Sequence, residues 1–166
     1  MPSKSRTWTP NAPCRVDADD QGDRIVSKLW FKTEPLDNTF IYRVAQLQLS
    51  TDSQARRFVD NKAAGIWSWF ELAILPNEES TEPIVRDGKE LVWRSHGNRL
   101  EESNTRHFGI IFDRRAELLD ALEVGNSSTL GCVRCLMSTI SSPAMSSVFA
   151  FAPACQAGST SLIVEL

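Results

Sequence analysis

No long apolar run occurs in the sequence. The first residues, MPSKSRTWTPNAPCRVDADDQGDR, hold nothing like the hydrophobic stretch of a secretory leader. No segment approaches the ~20 consecutive apolar residues of a membrane-spanning helix. A cytoplasmic protein without a membrane partner is expected on that ground. A basic excess is lacking too. The formal net charge is −3 and the pI is near 5.4, whereas a nucleic-acid binder needs a basic face. The pairs Arg56–Arg57 and Arg114–Arg115 read as ordinary solvated charges, so no nucleic-acid partner is expected.

Catalytic signatures are missing as well. There is no G-x-S-x-G elbow, no H-E-x-x-H and no glycine-rich phosphate loop, and no cofactor is expected. The acidic pairs Glu78–Glu79 and Glu101–Glu102 fall in polar connections. Solvation there would keep either carboxylate from the raised pKa of a general acid. Cysteines are few: Cys14, Cys132, Cys135 and Cys155. Cys132 and Cys135 have the spacing of half a zinc site, but a structural site takes four ligands, commonly from two such halves. Cys155 stands alone, and His96 and His107 lie far from it in sequence. No metal is expected, and in a reducing compartment the cysteines would be thiols.

What is present is one domain's worth of alternating pattern. A chain of 166 residues can bury about 70% of its unfolded surface and needs no covalent staples. Residues 1–24, with prolines and the acidic cluster Asp17, Asp19, Asp20 and Asp23, lack periodicity and read as a flexible lead-in. From residue 25 onward the chain reads as a single β-sandwich domain. RIVSKLWFKT alternates as a strand, and TEPLDNTF reads as a turn. IYRVAQLQLST is a second strand, with Leu47 and Leu49 on its apolar face and Gln46, Gln48 and Ser50 on its wet one. DSQARRFVDNKAAG is polar and reads as a loop. IWSWFELAIL is the strongest strand. Asp87–Gly88 marks a tight turn, and LVWRSH and HFGIIF are further strands, the first followed by a turn at GNR. DRRAELLDALEVGN reads as one short helix over about 114–123. Its expected N-cap is Asp113, its apolar stripe Leu118, Leu119 and Leu122, and its C-cap Gly125. TSLIVEL closes the chain as a strand. Short strands with turn signals between them and one helix imply an all-β, jelly-roll-like sandwich.

The strings GIWSWFELAIL, RDGKELVWRSHGNR and FDRRAELLDALEVGN together resemble a family of β-sandwich proteins from mushroom-forming (basidiomycete) fungi. That family has an SWSWFE-type strand and an LDALEVGN-type helix end. The resemblance covers residues 25 to about 130. It implies a small β-sandwich; the family has no established activity or catalytic residues, so nothing catalytic is carried over from it. It departs at two places. Relatives have a DQG-type segment before the tryptophan strand, where this chain has Asp52, Ser53, Gln54 and Ala55. Relatives also pass straight from the helix end into a strand like VRVCARFPGW. Here GCVRCLMSTISSPAMS, residues 131–146, reads as an irregular insertion, with the composition of a translated intron.

Two groups of residues are candidates for ligand binding. On a strand, Trp67, Trp69 and Glu71 share the face opposite Phe70, Leu72 and Ile74. Sugar rings stack on indoles while a nearby carboxylate accepts their hydroxyls, so the first face can serve as a platform. The other reading is that both faces are buried, the Phe70 face by the opposing sheet and the Trp67 face under the loop that precedes the strand. The other group is Trp93, Ser95, His96, Asn98 and Arg99 at a strand end. There an Arg can hold an anion and a His can titrate near neutral pH. Simple turn chemistry at Gly97–Asn98 explains the same residues. The sequence therefore implies a non-catalytic binding module with a glycan or protein ligand. The alternative is a small hydrolase using His96 with a carboxylate. Nothing in the sequence sets an oligomeric state.

Overall fold

The structure is a computed structural model that describes residues 4–17, 25–56, 68–98, 105–122, 129–138 and 154–166. The elements run β1 (Ser5–Trp8), β2 (Cys14–Asp17), β3 (Ile25–Leu29), α1 (Asn38–Arg43), β4 (Gln46–Arg56), β5 (Ser68–Leu75), β6 (Val85–Arg86) and β7 (Lys89–Glu90). They continue through β8 (Val92–Gly97), β9 (Thr105–Asp113), α2 (Glu117–Ala121), β10 (Thr129–Ser138) and β11 (Ala154–Glu165). The fold is all-β, and every strand pair is antiparallel. One sheet has the order β1-β11-β4-β9, with β2 also paired to β11; the second is β3-β10-β5-β8.

The two sheets face each other across a shared core. Period-two alternation sends Phe70, Leu72 and Ile74 of β5 inward, where they are fully buried. From the other sheet, Leu47 and Leu49 of β4 and Leu162 and Val164 of β11 meet them, also fully buried, with Phe112 of β9. Burying each such side chain stabilises the fold by roughly 1.5–3 kcal/mol. Leu118 and Leu122 dock the α2 region onto this core. The Asp87–Gly88 turn has φ of 51° and 77° at its two central residues. Positive values at both suit a two-residue hairpin, because that turn matches strand twist.

Several expectations need correction. Part of the lead-in is strand: β1 and β2 both lie along the outer edge of β11, from Ser5 opposite Glu165 to Asp17 opposite Ala154. Their side chains are tied down as well. Trp8 Nε1 donates to Glu34 at 2.6 Å, Arg6 pairs with Glu34, and Trp30 Nε1 donates to the Ala12 carbonyl at 2.8 Å. The chain has a second helix, α1, where a turn and a strand start were expected. Asp37 caps it, accepting from Phe40 N at 2.6 Å, and Phe40 is buried beneath it. Residues 52–56, expected as loop, continue β4. The α2 helix is shorter than 114–123 because Asp113 closes a turn before it instead of capping it. Its side chain accepts from Arg115 N and its carbonyl from Ala116 N, both at 2.9 Å. Residues 131–138 are not irregular: they belong to β10, which lies between β3 and β5. That strand satisfies the backbone of β5 along one whole edge, from Leu75 to Ser68. Residues 139–146 and Gly125 lie outside the described residues. Among the described residues no helix is long and apolar enough to cross a membrane.

Candidate functional site

The inward face of β4 changes character halfway along. Leu47 and Leu49 are followed at the same parity by Thr51 and Ser53, all four fully buried. Neighbouring strands change with it. In register beside Thr51 stand Thr160 of β11 and His107 of β9, both nearly inaccessible. From the facing sheet come Ser68 of β5 and His96 and Asn98 at the end of β8. A buried polar zone thus caps the apolar core.

Buried hydroxyls and imidazoles cost stability unless they are hydrogen-bonded, and here most are linked in one chain. Ser95 Oγ lies 2.9 Å from His96 Nδ1, and His96 Nε2 lies 2.9 Å from Thr51 Oγ1. Thr51 Oγ1 lies 3.1 Å from Ser53 Oγ, which donates to Asn98 Oδ1 at 3.0 Å. A hydroxyl has one proton to give, so the last bond fixes the others. With Ser53 donating to Asn98, Thr51 must donate to Ser53, and His96 must donate from Nε2 to Thr51. His96 Nδ1 is then the acceptor for Ser95. The imidazole also lies against the Phe70 ring, 5.0 Å between centroids. Burial, with His107 as the lesser cause, lowers the His96 pKa from 6.5 to about 4, so the ring is neutral near pH 7. Among the described residues, the buried atoms Ser68 Oγ, His107 Nε2 and Thr160 Oγ1 have no hydrogen-bond partner.

Ser95 and His96 make the contact of a nucleophile and its base, but the surroundings do not suit a reaction. Ser95 is 2% exposed. Gly109 of β9 is packed against it so closely that an added Cβ would stand 1.9 Å from Ser95 Oγ and 2.8 Å from His96 Nδ1. The group on the far side of His96 is the Thr51 hydroxyl, not a carboxylate. The bonds tie the two sheets together.

The outward face of the second sheet is different. Trp69 and Glu71 project there, both half-buried. Trp69 Nε1 donates to Glu71 Oε1 at 2.6 Å, and the Arg94 guanidinium of β8 lies 5.3 Å from the indole centroid. Trp69 stands opposite Gly97, whose missing side chain leaves room: a Cβ there would meet Arg94 at 3.4 Å. Farther along, Ala73 and Leu75 share this face but are fully buried, packed with Leu29 and Val92. Among the described residues the face is open around Trp69, Glu71 and Arg94, and also at Ile25 and Ser27 of β3.

The sequence candidates divide accordingly. Trp69 and Glu71 stand together as expected from strand alternation. Trp93 packs against the core, and His96 and Asn98 point into the interior, with the Asn98 N–H bonded to the Ser68 carbonyl at 2.9 Å. Gly97, expected in a bend, is the last residue of β8. Trp67 and Arg99 lie outside the described residues. Ser95, grouped with His96 at the strand end, is buried beside it. Thr51, Ser53 and His107 are not among the binding candidates; for Thr51 and Ser53 the signal is the continuation of the Leu47, Leu49 parity into a segment whose polarity reads as loop. Elsewhere, an open cavity of about 430 Å³ lies between the β1–β2 connection and the end of β3. Its two ammonium groups are committed: Lys32 donates to the Glu78 and Ser80 carbonyls, and Lys28 to that of Arg15. Among the described residues no cluster of three or more His, Cys, Asp or Glu could hold a metal.

No protein-family model matches the chain, and no curated protein matches it.

Proposed function

We propose that this protein is a non-catalytic binding module for a carbohydrate, using the outward face around Trp69, Glu71 and Arg94. The observation that carries this reading is the indole, carboxylate and guanidinium brought together on the outward sheet face. The indole offers flat apolar area for a sugar ring, the carboxylate accepts hydroxyl protons, and the guanidinium donates to ring or acidic oxygens. The Trp69–Glu71 bond holds the indole in place before ligand arrives, which reduces the ordering cost of binding. A hydrolase built on His96 has less support, because the described partners of that imidazole are hydroxyls. A jelly-roll connectivity, a cytoplasmic location and the fungal family resemblance belong to the same proposal; none of them implies a reaction.

A glycan array followed by calorimetry on the intact chain tests this reading. Binding to at least one glycan is expected, with Trp69→Ala weakening it at least tenfold, about 1.4 kcal/mol or more. A Trp69→Ala variant that binds as well as the original would remove the face from consideration, and absence of any glycan ligand would remove the carbohydrate.

A further inference from the structure

The β9 strand is the edge of its sheet. It pairs with β4 on one side, and among the described residues no strand pairs with the other. Natural edges are commonly short, or carry lysine, proline or charge that discourages added strands. The nine residues of β9, TRHFGIIFD, include neither lysine nor proline. Phe108, Ile110 and Ile111 are 59%, 54% and 54% exposed. A single apolar side chain on a surface needs no explanation; three contiguous ones along an open strand edge do.

We propose that this edge pairs with the same edge of a second copy of the chain, extending the sheet across a two-fold axis. The argument for that occupant is self-complementarity. A bulge opposite Leu49 places both Gly109 and Ile110 against one residue of β4. Because of that extra residue, Arg106, Phe108, Ile111 and Asp113 all lie on the exposed side of β9. Directly opposed residues in an antiparallel pair point to the same side. With the two-fold axis at the bulge, Phe108 meets Ile111 of the other copy and Arg106 meets Asp113 of the other copy, each pair occurring twice. Such an interface is isologous and closes at two copies. Charges fix the register, and the apolar pairs lose their exposure to water. Arg106 already lies alongside the sheet, held by Asp52 at 2.9 Å. The contact is separate from the Trp69 face, so it does not depend on the carbohydrate reading.

Sedimentation equilibrium of the intact chain over a concentration series tests this. A monomer–dimer equilibrium is expected. Ile111→Lys should shift it to monomer, since two lysines would then stand against Phe108 of the opposite copy. Arg106→Asp alone and Asp113→Lys alone should each raise the dissociation constant about tenfold by placing like charges opposite each other. A mixture of those two variants should form a heterodimer near the original strength. A chain that stays monomeric at every concentration would overturn the proposal. So would a dimer indifferent to Ile111→Lys, or a charge-exchange mixture that does not reassociate; an edge filled by a different protein would appear as the monomer result.

Discussion

The same strands build both ends of the interior, and they fill the two ends with different chemistry. On β4 the pair Leu47 and Leu49 gives way to Thr51 and Ser53, and on β9 Phe112 gives way to His107. On β11, Leu162 and Val164 give way to Thr160, and on β5 Phe70 gives way to Ser68. At the apolar end the stabilising effect is area removed from water, which has no preferred direction. At the polar end each group needs a partner at a given distance and with a given proton. One change of donor propagates along the Ser95–His96–Thr51–Ser53–Asn98 chain. The apolar end therefore holds the sheets together, while the polar end specifies how they face each other. Phe70 joins the two, since the His96 ring rests on it.

The largest effect should come from removing that junction. Phe70→Ala should cost about 3–5 kcal/mol, read by chemical denaturation, and should also perturb His96, visible as a shifted imidazole resonance. A loss confined to stability, with His96 unchanged, would show the two ends to be independent. The next test acts on the polar end alone through pH. His96 titrates near 6.5 when unfolded and about 4 when folded, so between those values the unfolded chain binds more protons. Stability is full above pH 6.5 and falls as pH drops toward 4, by about 3 kcal/mol in all. His96→Gln should flatten that part of the profile. If the slope persists in the variant, His96 is not its source. The smallest of these effects belongs to Thr51→Val, which keeps the shape and deletes the hydroxyl. It leaves the His96 N–H without its acceptor and should cost about 1–3 kcal/mol, while Leu47 and Leu49 keep their burial. A cost below the scatter of ordinary surface substitutions would mean that water replaces the hydroxyl.

The apolar end was the readable part of the fold. Alternation in SWFELAIL and AQLQL assigns Phe70, Leu72, Ile74, Leu47 and Leu49 to the interior, because burial of a strand face imposes a period of two. The polar end was not readable, since Thr51 and Ser53 look like solvated residues until the strands opposite supply His96 and Asn98. Helix α1 was missed for a related reason. Six residues leave little periodicity, and the Asp37 that marks a turn also caps a helix. Strands β1 and β2 have four residues each and owe their form to the edge of β11, a partner far away in sequence. In the candidate site, alternation brought Trp69 and Glu71 to one face, but Arg94 could be added only when the β5–β8 register was known.

That position of β11 has a temporal consequence. In sequence order it follows every other element, yet in the sheet it lies between β4 and the β1–β2 pair. During synthesis β4 can pair with β9 early, but its other edge waits for Ala154–Glu165, while β1 and β2 have no strand to join. The first sheet thus closes only after a long delay, and contacts so distant in sequence make closure slow as well. For that interval the nascent chain exposes the long open edge of β4, where a wrong strand can bind before the right one has been made.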